Sequence, residues 1–143
     1  MSQAAARPAS TLYLAGIYTG LLVGFSILAI LVTVFLNFEN SAMGVIVSMA
    51  AASGMAQAWV VREQAAPASG RAWKMAALCA LITTVFLSGA AAIGLESEGE
   101  SLRDIASEGL LFALALVVGI LAMNLLVIRL GIWLGSRSNV KRA

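Results

Sequence analysis

The sequence predicts an all-α membrane protein, with four transmembrane helices in two hairpins and both termini cytoplasmic. Composition is the first reason. Of 143 residues, 61% belong to the hydrophobic set and 11% are charged, against roughly 25% charged in an ordinary soluble domain. A particle this small has too much surface for its volume to hide so much apolar side chain, so that surface faces lipid. The second reason is length: four apolar runs each reach the roughly 20 residues that cross a hydrocarbon core. The third is the charge distribution described below. No segment alternates like a barrel strand, which leaves helices, the form that satisfies every backbone group within one segment.

Taken in order, residues 1–11 are rich in Ala and Ser and read as a flexible cytoplasmic tail carrying Arg7. The first span, 12–36, contains no charge. It is much longer than the roughly 7–15 residues of a secretion signal's apolar core, so it reads as an uncleaved helix. The second, 42–61, ends at Arg62 and Glu63, and the loop 62–72 holds Pro67 and Gly70. The third, 73–95, has Lys74 at its edge, and the fourth, 109–134, contains Arg129. Residues 135–143 read as a basic cytoplasmic tail. The two prolines, Pro8 and Pro67, both fall outside the spans.

With four crossings, the termini and the 62–72 loop share one side. That side carries Arg7, Arg62, Arg71, Lys74, Arg129, Arg137, Lys141 and Arg142 against Glu63 alone. The other carries Glu39, Glu96, Glu98, Glu100, Asp104 and Glu108 against Arg103. Basic residues in short loops stay cytoplasmic, which orients the chain. Trp59, Trp73 and Trp133, with Tyr13 and Tyr18, all fall at the cytoplasmic ends of their spans. Indole and phenol rings favour interfacial depth, so the three tryptophans read as anchors.

Helices in lipid associate by close packing, which favours small residues. Gly16, Gly20 and Gly24 in "AGIYTGLLVG" form a doubled G-x-x-x-G, and Gly44, Ser48, Ala52 and Ala56 continue that spacing on the second span. Opposing these stripes within the first hairpin is their simplest use; docking a foreign helix is the other. Ala80, Thr84, Ser88 and Ala92 give the third span a similar face.

Counting about 20 residues at 1.5 Å each from Gly109, the fourth helix leaves the hydrocarbon near Ile128. Arg129 then reads as an interfacial anchor whose side chain snorkels to the headgroups. The competing reading is an intramembrane charge in a substrate path. Asn124 lies deeper, and an amide there needs a partner within the bundle.

Chemistry is scarce. The chain has no histidine and one cysteine, Cys79, which removes the common zinc, iron–sulfur and bis-histidine haem ligand sets. Met43, Met49 and Met55 recur every six residues, a spacing that walks around a helix and suits flexible packing. No cofactor is expected. The spans carry hydroxyls, Gln57 and Asn124 but no carboxylate, whereas coupled transport needs ionisable groups or broken helices near the midplane. Catalysis needs a placed titratable group, and neither G-x-x-x-x-G-K nor G-x-S-x-G occurs. The acidic loop "ESEGESLRDIASE" lacks a calcium-loop order. Ser101 and Asp104 within it resemble a capping box that starts the fourth helix near Leu102. The 62–72 loop places Arg71 and Lys74 where anionic headgroups would meet them. The net charge of +2 comes from these membrane-flanking residues and implies no nucleic-acid role.

Three stretches, "SMAAASGMAQAWV", "REQAAPASGRAWKMA" and "LLVIRLGIWLGSRSNVK", resemble a family of short four-span inner-membrane proteins of proteobacteria. In that family an acidic residue follows the loop proline, whereas Ala68, Ser69 and Gly70 follow Pro67 here. The resemblance implies a bacterial inner-membrane location and carries no activity. The functional expectation is a non-catalytic accessory subunit or assembly factor, with lipids and other membrane subunits or itself as partners. The alternative is an oligomeric small channel or transporter with Asn124 and the Ser/Thr residues along its path.

Overall fold

The computed structural model describes residues 8–36, 42–98 and 109–140. Among them are four long helices: α1 Thr11–Leu36, α2 Met43–Glu63, α3 Ser69–Glu98 and α4 Leu110–Val140. Each is long and apolar enough to cross a membrane, and the described residues contain no strand. This is a four-helix, multi-pass membrane protein. The Ser101–Asp104 capping box, the helix start near Leu102 and most of the acidic loop lie outside the described residues.

Local chemistry sets the helix ends. The Ser10 hydroxyl accepts from the Tyr13 N–H at 3.2 Å, the N-cap bond that satisfies one of the first orphan donors of α1. Helix α2 stops at Gln64, which takes φ 52°, a left-handed conformation; its N–H donates to the Val60 carbonyl at 2.8 Å. Helix α3 starts just past Pro67, with the Ala68 carbonyl accepting from the Ala72 N–H at 2.9 Å. Gly109 holds φ +133° immediately before α4, backbone that a side chain would strain.

Two helices outrun the spans expected of them. Hydrophobicity marks 73–95, but α3 runs from Ser69 to Glu98: no proline follows Pro67, and Gly70 sits in the first turn, where its cost of about 1 kcal/mol against Ala does not stop the helix. The residues read as a basic tail continue α4 to Val140. There the Arg137 guanidinium lies 4.0 Å from the centre of the Trp133 ring, one turn back.

Arg62 over Tyr13 brings the end of α2 to the start of α1, and Arg129 over Trp73 brings late α4 to the start of α3. The hairpins α1/α2 and α3/α4 are therefore antiparallel, with the basic residues at one shared end. Helix α2 packs on α1 and most extensively on α4, while α3 packs on α4 and α1. In cross-section the order is α1, α2, α4, α3. The two hairpins lie side by side, and the 64–68 turn crosses the bundle.

Among the described residues the core lies mainly towards the basic end. Burial on α1 is confined to Leu14, Tyr18 and Leu22. On α2 it runs from Val47 to Val60, on α3 from Ala72 to Thr83, and on α4 from Asn124 to Gly135. Towards the other end, large side chains such as Leu31, Phe35, Val85 and Leu114 stand exposed.

Candidate functional site

The tightest packing lies between α2 and α4. A Cβ on Gly131 would come within 2.8 Å of the Met49 carbonyl oxygen and 2.9 Å of the Ala52 Cβ. One turn on, a Cβ on Gly135 would collide with the Ser53 carbonyl oxygen and reach 3.0 Å from the Ala56 Cβ. Positions 49 to 56 ascend with 131 to 135, so α2 and α4 run parallel. Gly131 and Gly135 form the G-x-x-x-G that joins the hairpins, with Ala52 and Ala56 opposite.

The sequence expectation opposed Gly16, Gly20 and Gly24 to the α2 stripe. In the structure these three glycines are exposed, with nothing within 4 Å of where their Cβ atoms would be. Bulkier residues of α1 face the bundle instead: Leu14, Tyr18 and Leu22 are buried, and the tip of Leu21 fills the notch at Gly54 of α2. Gly44 is exposed with open space around it, while Ser48 and Ala52 are buried. A small-residue stripe permits close approach but does not select its partner, and here bulkier side chains bury more surface.

At the basic end, each described arginine lies over an aromatic ring. Arg62 covers Tyr13 at 4.2 Å, Arg71 Trp59 at 5.1 Å, Arg129 Trp73 at 5.4 Å and Arg137 Trp133 at 4.0 Å. These distances suit cation–π attraction. Arg71 is further committed: it pairs with Glu63 at 3.0 Å and donates to the Ala9 carbonyl at 2.8 Å. Glu63 also accepts from the Ala9 N–H at 2.8 Å. This triangle pins the chain before α1 to the α2–α3 turn.

The tryptophans expected as anchors divide. Trp73 and Trp133 are about 40% exposed at the basic end (43% and 41%), as an interfacial ring would be. Trp59 is fully buried and is a core residue, capped by the Arg71 guanidinium. Its indole N–H falls short of hydrogen-bond geometry, and the acceptor beside it is Glu63, one turn along. Arg129 reaches across the α3/α4 seam to Trp73. Asn124 is buried on the inward face of α4, and its carboxamide makes no hydrogen bond to the other described residues.

The span hydroxyls are largely satisfied within their own helices. Thr19, Ser26, Thr33, Ser48, Thr83 and Thr84 each donate to the carbonyl one turn back, at 2.7–3.0 Å. Back-bonding of this kind lets Ser and Thr sit in apolar surroundings. One hydroxyl pair also crosses helices: Tyr18 and Thr83 meet at 2.6 Å, tying α1 to α3.

Where the core ends, two shallow apolar grooves open beside α1. One, of about 180 Å³, is lined by Phe25, Leu28 and Val32 against Met43 and Ile46. The other, of about 190 Å³, lies between Leu22 and Ser26, Ser48 of α2 and Phe86 of α3. Among the described residues no group of three or more His, Cys, Asp or Glu side chains is placed to hold a metal. No protein-family model, curated protein or solved structure matches the chain.

Sequence reading missed Gly131 and Gly135, although both stand in "RLGIWLGSR" at the spacing that marked α1. The flanking arginines and tryptophan drew that stretch towards an interfacial reading. Nothing in the pattern marked Glu63 as a junction, because its partners are 8 and 54 residues away.

Proposed function

We propose that the protein is a non-catalytic accessory or assembly subunit of a larger complex in the bacterial inner membrane. In this reading both termini are cytoplasmic and α1 is the docking helix. One observation carries it. In the most apolar stretch of α1 only 6% of the residues are buried, against 39% in that of α2, and its three-glycine face turns outward into open space. A helix held by one narrow stripe, with a backbone-exposing face left over, suits close approach by a partner helix. The basic end supports the cytoplasmic placement of the termini, and the resemblance of the three quoted stretches supports the inner membrane.

The polar inventory favours this reading over an oligomeric pore or transporter. Most of the hydroxyls that would line a path donate to their own helices. The carboxylates of the described helices, Glu63, Glu96 and Glu98, stand at helix ends, away from the midplane where ion coupling needs them. The test is extraction from native membranes in a mild detergent with an affinity tag after Ala143, followed by native-gel sizing and mass spectrometry. Stoichiometric co-migration with other membrane proteins is expected. A discrete homo-oligomer without other subunits, or flux through the purified protein in liposomes, would overturn the proposal in favour of a pore.

A further inference from the structure

The arginine-aromatic pairs at the basic end are not equivalent. Arg71 already spends its donors on Glu63 and the Ala9 carbonyl, and Glu63 is the only acidic residue that the sequence places at this end. Arg129 and Arg137 have no ion pair among the described residues. Both lie on one face of α4, at i and i+8, with Trp133 between them at i+4. Arg137 stacks on Trp133 and Arg129 on Trp73 of α3, whose neighbour Lys74 is exposed. Stacking occupies the flat face of a guanidinium and leaves its edge N–H donors free, and those donors match the oxygens of a phosphate.

The surroundings specify what kind of phosphate. Trp73 and Trp133 are half-exposed at the ends of apolar helices, the depth at which indole rings meet headgroups. Beside the arginines, Leu126, Leu130 and Leu134 present an exposed apolar strip running back along α4. A soluble phosphate has no use for that strip, whereas an acyl chain does.

We propose that the α3/α4 seam at the basic end is a binding site for an anionic phospholipid. Arg129, Arg137 and Lys74 take the headgroup phosphate, Trp73 and Trp133 hold the guanidinium groups in place, and the acyl chains lie along Leu126 and Leu130. The site goes beyond the subunit reading and does not depend on which complex the protein joins.

Native mass spectrometry of the delipidated, detergent-solubilised protein tests it, with phosphatidylglycerol, phosphatidylethanolamine and glycerol 1-phosphate as probes. Phosphatidylglycerol should bind in preference to phosphatidylethanolamine, and glycerol 1-phosphate should not displace it. A basic residue near a membrane surface is worth about fivefold in affinity for anionic lipid, so Arg129→Gln with Arg137→Gln should weaken phosphatidylglycerol binding at least that much. Lys74→Gln, at an exposed position, should weaken it as well and serves if the double variant loses its helicity. Arg71→Gln should leave it unchanged. Equal retention of the two lipids, equal loss in Arg71→Gln, or full displacement by glycerol 1-phosphate would overturn the proposal, the last by making it a site for free phosphate.

Discussion

At the basic end a single carboxylate accepts from two parts of the chain that are far apart in sequence. Glu63 takes the Ala9 N–H and the Arg71 guanidinium, so its loss frees the lead-in to α1 and leaves the Arg71 charge without its ion-pair partner. Arg71 is 46% exposed, which lets water compensate part of that loss. Glu63→Ala, which removes the acceptor for both groups, should therefore destabilise the protein in detergent by about 1–2 kcal/mol, read as an earlier unfolding midpoint; an unchanged midpoint would show that the junction does not hold the helices. Residue-scale legibility was uneven. Trp73 and Trp133 stand half-exposed towards the basic end of their helices, and that position along the helix is read directly from the sequence. Trp59 has the same placement along its helix but faces inward. Which way a ring points depends on helix rotation, and the weak amphipathicity of these spans leaves rotation unmarked.

Among the helices, the contrast between two glycine motifs is the most informative feature. Gly131 and Gly135 press onto the α2 backbone, whereas a Cβ on Gly16, Gly20 or Gly24 would meet nothing within 4 Å. Gly131→Ala forces a methyl against the Met49 carbonyl oxygen, which α2 can relieve only by moving away. Overpacking of this kind costs about 1–3 kcal/mol, with a larger loss for Gly135→Ala against Ser53. Gly20→Ala should stay within about 0.5 kcal/mol of the parent. Unfolding in detergent separates the cases, and equal effects at positions 20 and 131 would contradict the packing. The four helices and the hairpins were legible because the apolar runs are long and separated by polar loops. The order α1, α2, α4, α3 was not. Two G-x-x-x-G stripes and two alanine-rich faces admit several pairings, and which pairing wins depends on the bulky residues between them.

For the whole molecule, burial and charge point to the same end. The basic half holds most of the described core, the arginine-aromatic pairs and the Glu63 junction, while two apolar grooves open beside α1 where that core ends. The positive-inside reading predicts a fluorescent cytoplasmic reporter and an inactive alkaline phosphatase when each is fused after Ala143, and the reverse pattern would invert the topology. Among the described residues the core lies towards the basic end, and the most apolar helix keeps most of its surface exposed, which is the surface that the proposed docking of α1 against a partner would use. The measurement that tests this most directly places a photo-crosslinking residue at position 20 on the outward face of α1 and irradiates native membranes. The expected result is a discrete adduct with another membrane protein, absent when the same residue stands at the buried position 52. Adducts with lipid alone, or with a second copy of this chain alone, would contradict it.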